Sequence, residues 1–174
     1  MSEAGAPRVV LIVSAASGAG KTTLLERLLP RLCAAGLRVG VVKRTHHDVD
    51  LDPPGKDSRR LRDAGASPVM LRGPHVTTVF ARTPEGDEIG PLVAAALAFG
   101  PLDLVLVEGG RPLAALPRIE VVAPGGRVVS DPATLLAIAS DDPVELEGVP
   151  CFRRDDADAL AQAITSARGP TSAA

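Results

Sequence analysis

A short stretch near the start of the chain, residues 14–23, contains the residue types that bind phosphate. It has the sequence Ser-Ala-Ala-Ser-Gly-Ala-Gly-Lys-Thr-Thr and follows an apolar run at residues 9–13. Glycines let backbone N–H groups approach an anion closely, and the start of a following helix adds partial positive charge. Lys21 would add a full charge at the β- and γ-phosphates, and the Thr22 hydroxyl could coordinate Mg²⁺. The residues predicted to contact a nucleotide in this loop are Ser17, Gly18, Ala19, Gly20, Lys21, Thr22 and Thr23.

One position departs from the phosphate-loop pattern G-x-x-x-x-G-K-[ST]. Ala15 stands where the first glycine is expected. A left-handed backbone would cost an alanine roughly 1–2 kcal/mol, whereas a negative φ costs it little. The alternative is a glycine-rich turn with an incidental lysine. Gly-Lys-Thr in a loop that follows a buried strand argues against that alternative, so we expect the loop to tolerate Ala15.

Two further apolar runs end in residues that can do chemistry. Residues 38–42 lead into Lys-Arg-Thr-His-His-Asp at residues 43–48, and residues 102–107 lead into Glu-Gly-Gly-Arg at residues 108–111. In an open parallel sheet, ligands bind beyond the carboxyl ends of the strands. The sequence therefore predicts that both clusters and the phosphate loop converge on one edge of the sheet.

Glu108 is the predicted acidic partner of Mg²⁺, directly or through water, because magnesium is usually held by one or two carboxylates together with water. The alternative is a solvated carboxylate at the end of a strand. Asp48 is a second candidate, either bound to the metal through water or orienting a water molecule. Asp103 begins its strand and is predicted to lie at the opposite edge. The predicted catalytic residues are Lys21, Glu108 and Asp48, and the predicted metal ligands are Thr22, Glu108 and Asp48.

A second ligand is predicted beside the nucleotide. Lys43 could supply charge to an anionic substrate, and Lys-Asp-Ser at residues 56–58 begins a helix, where anions can bind. Adjacent histidines in extended chain point in opposite directions, so only one of His46 and His47 would bind a phosphate or a pterin-like group. On spacing alone, helix capping explains Asp57 and Ser58 equally well. The residues predicted for the second ligand are Lys43, His46, His47, Lys56, Asp57, Ser58, Gly109 and Arg111.

The nucleotide base is poorly specified. The guanine-reading signature N-K-x-D is absent from the sequence. Asp141 follows a fourth core-like strand at residues 135–139, and its carboxylate could accept hydrogen bonds from N1 and N2 of guanine. Adenine lacks that pair of donors. The pattern makes Asp141 a candidate base contact and leaves the choice between GTP and ATP open.

Composition excludes several functional classes. The chain has 174 residues, a formal net charge of −2 and only 2% aromatic residues, which argues against a nucleic-acid-binding surface. No apolar run approaches the roughly 20 residues of a membrane span, and no secretory signal is recognisable. Cys33 and Cys151 have no metal-ligand spacing, lie in apolar surroundings and are expected to be free buried thiols. We therefore expect a cytoplasmic protein without a membrane segment.

The order of predicted elements indicates an α/β fold. Strand, helix and strand over residues 9–43 form a βαβ unit, which requires two parallel strands. Antiparallel hairpins are predicted at residues 68–81 and 118–129. The expected fold is a three-layer α/β/α P-loop NTPase fold with a mainly parallel sheet and antiparallel hairpin additions. It should form one domain over residues 1–174, with flexible ends at 1–7 and 169–174.

Helix boundaries follow from caps and prolines. Pro30 lies within the first predicted helix and is expected to kink or divide it. Asp57 or Ser58 is the predicted N-cap of the second helix, and Asp155 or Asp156 that of the last helix.

At five places the chain resembles the molybdopterin-guanine dinucleotide biosynthesis protein B (MobB) family. The His-His-Asp block followed by Gly-Lys-Asp-Ser is the specific part, whereas the phosphate loop alone is common to many families. Arg44 departs from the usual histidine, and Gly110-Arg111 departs from the usual Phe-Lys. The resembling stretches are residues 17–24, 43–48, 54–58 with 64–66, 103–109 and 117–121.

This resemblance implies GTP with Mg²⁺, weak GTPase activity and a homodimer on a fold shared with dethiobiotin synthetase. It implies an accessory role in molybdenum cofactor biosynthesis, as an adaptor to the guanylyltransferase, with the molybdenum-insertion protein as a further partner and a molybdopterin-type ligand. One alternative is a small-molecule kinase or ATP-dependent ligase of the dethiobiotin-synthetase type, with Lys43 and Lys56 binding the second substrate. Another is a nucleotide-switched assembly protein without a small-molecule substrate.

Overall fold

The computed structural model describes residues 6–45, 47, 50–82, 89–109 and 115–167. The chain divides into two compact units, one of residues 1–45 with 92–174 and one of residues 46–91. The strands are β1 (Arg8–Val13), β2 (Val39–Lys43), β3 (Val69–Arg72), β4 (Thr77–Phe80), β5 (Leu104–Glu108), β6 (Arg118–Val122), β7 (Leu135–Ser140) and β8 (Cys151–Phe152). The helices are α1 (Lys21–Ala34), α2 (Asp57–Asp63), α3 (Gly90–Leu97) and α4 (Ala157–Ser166), with a short 3₁₀ turn at Pro132–Thr134. Within the described ranges, no helix has both the length and the apolar character needed to cross a membrane.

The first unit is built on a six-stranded sheet with the strand order β2-β5-β1-β6-β7-β8. Every pair of neighbouring strands is parallel. The central strands β1 and β5 are nearly all valine, leucine and isoleucine, as expected where a strand is covered on both faces. The predicted α/β fold with a mainly parallel sheet is confirmed, and β5 lies between β1 and β2.

Helices α1 and α4 pack together against one face of this sheet. Leu28 and Leu32 of α1 and Leu160 and Ile164 of α4 are each 0% exposed. They are spaced four residues apart on their helices, which places each pair on a single face. This packing fixes the start of α1, and hence the phosphate loop, against the sheet.

Pro30 does not divide α1. The helix continues through it from Lys21 to Ala34, with Pro30 itself on the exposed side. Proline removes one helical hydrogen bond, and the buried leucine stripe on the opposite side holds the two halves to the same core. Of the two predicted effects, division of the helix is therefore wrong, and the kink stays a prediction. Cys33 of the same helix is exposed, so the expectation that this thiol is buried is wrong as well.

The caps agree with the sequence at one helix and differ at another. Asp156 is the N-cap of α4, and its side chain accepts a hydrogen bond from the backbone N–H three residues later. Lys56 is the N-cap residue of α2 and makes no side-chain cap. The prediction that Asp57 or Ser58 caps α2 is wrong, because both already lie inside the helix.

Strand β6 lies inside the sheet, and this excludes the hairpin predicted at residues 118–129. It pairs with β1 on one side and with β7 on the other, so no edge remains for residues 127–129. The Glu120 carboxylate of β6, which is 0% exposed, instead accepts hydrogen bonds from the backbone N–H groups of Val129 and Ser130, both at 2.9 Å. The Glu120 side chain therefore holds residues 129–130 in place, whereas the predicted hairpin would have held them by backbone pairing with β6.

Replacing Glu120 with glutamine should lower the free energy of unfolding by about 1–3 kcal/mol. A glutamine amide has one acceptor oxygen, so one of the two part-buried N–H groups would lose its partner. Urea unfolding followed by circular dichroism measures the change. Glu147→Gln is the matched control, since Glu147 is exposed and should change stability by less than about 0.5 kcal/mol. Equal stability of E120Q and the wild type would contradict this role of Glu120.

The second unit contains α2 and the antiparallel hairpin of β3 and β4, in which Val69 pairs with Phe80. The hairpin predicted at residues 68–81 is thus confirmed. Asp52 is only 3% exposed; its Oδ1 accepts a hydrogen bond from the Ser58 hydroxyl at 2.7 Å, and its Oδ2 lies 3.3 Å from Nη1 of Arg62. These contacts hold the segment before α2 against the helix.

Candidate nucleotide-binding site

The turn between β1 and α1 has the backbone of a phosphate-binding loop. Gly18 and Gly20 have φ angles of 76° and 94°, values that glycine adopts without a steric cost. Among the described residues, no residue other than glycine has a positive φ. Ala15 is therefore free of the left-handed conformation that would penalise an alanine, and its place in the loop is explained.

Lys21 is the first residue of α1. Its ammonium donates a hydrogen bond to the Ser14 hydroxyl at 2.7 Å, and that hydroxyl donates to the carbonyl of Ala16 at 2.6 Å. Ala19 is buried, whereas Ser17 and Gly18 are exposed. The loop is thus anchored at one end, and its exposed backbone and the lysine are available to an anion.

The carboxyl ends of β1, β2 and β5 meet at one edge of the sheet, as the sequence predicts. The Thr22 hydroxyl, just after the loop, donates to Oε1 of Glu108 at 2.7 Å. The Lys43 ammonium lies 3.4 Å from the same Oε1 and donates to Oγ1 of Thr22 at 3.2 Å. The strand pairing sets this arrangement, since Lys43 of β2 and Ile12 of β1 both lie opposite Glu108 of β5.

The oxygens of Thr22 and Glu108 form a donor set that fits Mg²⁺. Magnesium prefers hard oxygen ligands, commonly carboxylates with water or phosphate. Glu108 is only 7% exposed and is held on an interior strand, whereas Thr22 is exposed. The pair combines one rigid carboxylate with one hydroxyl on the side open to solvent.

Asp103, at the start of β5, belongs to the opposite edge of the sheet. Its Oδ2 accepts hydrogen bonds from the backbone N–H and Nε of Arg38 at 2.8 and 2.9 Å, and its Oδ1 accepts one from Nη2 at 2.7 Å. These bonds hold the pKa of the Asp103 carboxyl well below its usual range. The prediction that Asp103 is a strand-start residue away from the site is confirmed.

A hollow of about 300 Å³ lies beside the phosphate loop, and it contains Asp141. The Asp141 carboxylate forms an ion pair with Arg154, which donates from Nε at 2.7 Å, from Nη2 and from its backbone N–H at 3.3 Å. Hydrogen bonding to Arg154 lowers the pKa of Asp141, and Asp141 in turn raises the pKa of Arg154. The residues that line the hollow are Gly20, Thr23, Leu24, Arg27, Asp141, Arg153, Arg154 and Asp155.

Arg154 connects this ion pair to the phosphate loop. Its Nη1 donates to the backbone carbonyl of Ala19 at 3.3 Å. A Cβ placed on Gly20 would lie 3.7 Å from this Nη1 atom. A carboxylate has about four acceptor positions, and Arg154 uses three of those on Asp141. A two-point contact of Asp141 with N1 and N2 of guanine therefore requires the ion pair to rearrange.

The residues predicted for a second ligand are found in different places. Gly109 has a φ of 81°, and a Cβ there would lie 2.8 Å from the carbonyl oxygen of Arg44; this close approach already explains the glycine. His47 is exposed in the second unit. His46, Asp48 and Arg111 lie outside the described residues, so their predicted roles stay predictions.

The second unit has a hollow of its own, of about 530 Å³. Lys56 and Asp57 are exposed, whereas Ser58 is buried by its hydrogen bond to Asp52. Ser58 thus has a structural role, and Lys56 is the positive charge that the hollow offers to a ligand. The residues that line it are Leu51, Asp52, Lys56, Asp57, Ser58, Leu71, Thr78 and Phe80.

Three residues with clear roles in the structure are not among those predicted from the sequence. Arg154 was not singled out, although a polar residue just after a strand of a parallel sheet is a usable signal. Ser14, which contacts Lys21, gave no signal beyond its place in the loop. Asp52 is buried in the structure, and its polar neighbours in the sequence give no signal of that burial.

A parallel sheet with a phosphate loop after β1 and an acid at the end of the neighbouring β5 defines an α/β protein of the P-loop class. Residues 9–141 match the family model described as molybdopterin guanine dinucleotide synthesis protein B, MobB. The chain belongs to this family.

Similar proteins agree with this assignment. The molybdopterin-guanine dinucleotide biosynthesis adapter protein of Escherichia coli (strain K12) is 39% identical over 151 residues, which cover 83% of this chain and 85% of the relative. The protein of the same name from Haemophilus influenzae is 37% identical and covers 79% and 78%. A crystal structure of molybdopterin-guanine biosynthesis protein B has a TM-score of 0.66 at 30% identity, covering 91% of this chain and 98% of that one. Bacillus subtilis MobB, at 24% identity and a TM-score of 0.70 over 93% and 99%, shows the same fold.

Proposed function

We propose that this protein is a GTP-binding adapter in the biosynthesis of molybdopterin guanine dinucleotide. The observation that supports nucleotide binding best is the meeting of Lys21, Thr22 and Glu108 at the end of β1. The adapter role is supported by the relatives in Escherichia coli and Haemophilus influenzae, which are named adapter proteins.

The phosphates bind to the exposed loop backbone and to the Lys21 ammonium. Mg²⁺ would be held by Thr22 and Glu108, where it offsets the negative charge of the phosphates. Asp141 and Thr23 line the hollow beside the loop, which is the space we assign to the rest of the nucleotide. The preference for guanine is part of the proposal and is supported by the resemblance to the MobB family.

Hydrolysis is expected to be slow in the isolated protein. Glu108 is engaged with the Thr22 hydroxyl and the Lys43 ammonium and is the proposed Mg²⁺ ligand, so it is not free to activate a water molecule. Asp48 is proposed to orient the attacking water. Slow turnover suits a protein that delivers or holds a nucleotide for a partner enzyme.

The proposed partners are a second copy of the chain, the molybdenum cofactor guanylyltransferase and the molybdenum-insertion protein. A molybdopterin-type ligand is proposed for the hollow of the second unit. The apolar side chains of Leu71 and Phe80 suit a flat heterocycle, and Lys56 suits a phosphate group.

Thermal unfolding with nucleotides tests the nucleotide part of the proposal. We expect GTP with Mg²⁺ to raise the melting temperature more than ATP with Mg²⁺ at equal concentration. A ligand present at a hundred times its Kd stabilises a protein by about 2.7 kcal/mol, which is readily seen as a shift. Equal or greater stabilisation by ATP would count against GTP, and rapid phosphate release without a partner would favour an autonomous enzyme.

Co-purification tests the adapter role separately. The guanylyltransferase of the same organism, carrying an affinity tag, should retain this protein, and GTP should change the amount retained. Absence of any complex, with and without GTP, would argue against the adapter role while leaving nucleotide binding intact.

A further inference from the structure

We propose that the Lys43 ammonium and Mg²⁺ compete for the same two oxygens, so that Lys43 is a built-in cation which must leave before the metal binds. This inference rests on the proposed function, because it takes Thr22 and Glu108 as the Mg²⁺ ligands. It assigns Lys43 to control of the metal site, in addition to any contact with a second ligand.

The geometry that carries the proposal is a triangle of three polar atoms. Nζ of Lys43 is 3.2 Å from Oγ1 of Thr22 and 3.4 Å from Oε1 of Glu108, and these two oxygens are 2.7 Å apart. The ammonium thus contacts both members of the oxygen pair that fits Mg²⁺. A divalent cation on these oxygens would be repelled by an ammonium at such short range.

The burial of the two charged side chains shows which of them can move. The Glu108 side chain is 9% exposed, whereas that of Lys43 is 61% exposed. The buried carboxylate needs a cation nearby, because an uncompensated buried charge is unfavourable. The ammonium sits on a flexible stem and can turn into solvent without any change in β2. Lys43 is therefore the exchangeable partner, and Glu108 is the fixed one.

Two measurable consequences follow. Lys43 opposes Mg²⁺ in the protein alone, because the metal must first displace it. Lys43 also reduces the need for Mg²⁺ when a nucleotide binds, because it already offsets the charge of Glu108, which would otherwise repel the phosphates.

The first test is titration of the nucleotide-free full-length protein with MgCl₂ in an isothermal calorimeter. We expect Lys43→Met to bind Mg²⁺ roughly three- to ten-fold more tightly than the wild type, a modest factor because the lysine is largely exposed. Lys43→Gln should behave in the same way and serves if the methionine variant does not fold. Lys43→Arg, which keeps the charge, should stay close to the wild type.

A double-variant comparison ties the effect to Glu108. In a Glu108→Gln background there is no carboxylate to compete for, so adding Lys43→Met should produce no further tightening. Arg127→Met is the matched control for the loss of one positive charge, since Arg127 is exposed on the loop after β6, and it should leave Mg²⁺ binding unchanged. Mg²⁺ binding by the neutral Lys43 variants at or below the wild-type level, undetectable binding included, would overturn the proposal.

The second test measures GDP binding in EDTA. Lys43→Met should bind GDP several-fold more weakly than the wild type without metal, and the difference should shrink in Mg²⁺. Equal loss under both conditions would overturn the exchange and leave Lys43 as a phosphate contact. The Mg²⁺ titration contains no nucleotide, so a failure of the protein to bind GTP would contradict the proposed function and leave that titration interpretable.

Discussion

Replacing Lys21 with alanine is expected to lower the affinity for GTP by roughly ten- to a hundred-fold or more. The change removes a full positive charge from the start of α1, where the loop backbone and the helix N-terminus supply only partial charges. Within the described contacts, the Lys21 ammonium bonds only to Ser14 at 2.7 Å, and the alkyl stem lies outside the buried core. The loss should therefore appear in binding, with little effect on folding. A fluorescent GTP analogue titrated in Mg²⁺ measures it.

Two controls separate the phosphate contact from general effects of charge. Arg127→Ala removes one positive charge from an exposed loop and should retain wild-type affinity. The melting temperature of the Lys21→Ala protein without nucleotide should remain within a few degrees of the wild type. Unchanged GTP affinity in a folded Lys21→Ala protein would exclude the phosphate-binding role of the loop.

The site could be predicted from the sequence where local pattern and one topological rule suffice. The phosphate loop is a contiguous motif, so the places of Lys21 and Thr22 follow from the residues around them. Lys43 and Glu108 follow from the rule that parallel strands present their carboxyl ends at one edge. The contacts between Thr22, Glu108 and Lys43 are the physical result of that rule.

Features of the fold that depend on which strands become neighbours could not be predicted from the sequence. The hairpin predicted at residues 118–129 is wrong because β6 lies between β1 and β7, and nothing in the five residues of β6 encodes two partners. The buried role of Glu120 follows from the same insertion. Strand order is decided by packing of distant segments, and local periodicity does not record it.

The burial of a polar side chain, that of Asp52, could not be predicted from the sequence either. Asp52 lies among Asp50, Pro53 and Pro54, and a loop of this composition is usually solvated. In the structure its carboxylate is paired with Ser58 and Arg62, which are six and ten residues further along the chain. Such a pairing depends on how the segment folds back on α2, and this cannot be read from neighbouring residues.

Arg154 makes a similar contact between segments that lie far apart in the sequence. It donates to Ala19, 135 residues earlier in the chain, and at the same time it holds Asp141. Neither residue suggests the other in the sequence. The ion pair changes the chemistry of Asp141, because a carboxylate that already accepts hydrogen bonds from an arginine has fewer acceptor positions left for a nucleotide base.

Replacing Asp141 with asparagine is therefore expected to weaken GTP and ATP binding by the same factor, roughly ten-fold, without creating affinity for XTP. The asparagine loses the charge that holds Arg154, and Arg154 then loses its place against the carbonyl of Ala19 in the phosphate loop. That effect acts on the phosphates, which all three nucleotides share. Titration of the wild type and Asp141→Asn with GTP, ATP and XTP measures the three affinities side by side.

Arg154→Met provides the matched variant for this prediction. If Asp141 acts through Arg154, the two single variants and the double variant should all show the same loss, because each one breaks the same contact. The pH dependence has a definite sign: Arg154 lowers the pKa of Asp141, so the contact is complete above the ordinary aspartate pKa of about 3.9 and is lost only as the pH falls through the lowered value. Nucleotide affinity should thus show no step from Asp141 between about pH 5 and pH 8. A gain of XTP affinity together with a selective loss of GTP in Asp141→Asn would show instead that Asp141 reads the guanine base directly, because an asparagine amide presents the donor that the O2 oxygen of xanthine requires.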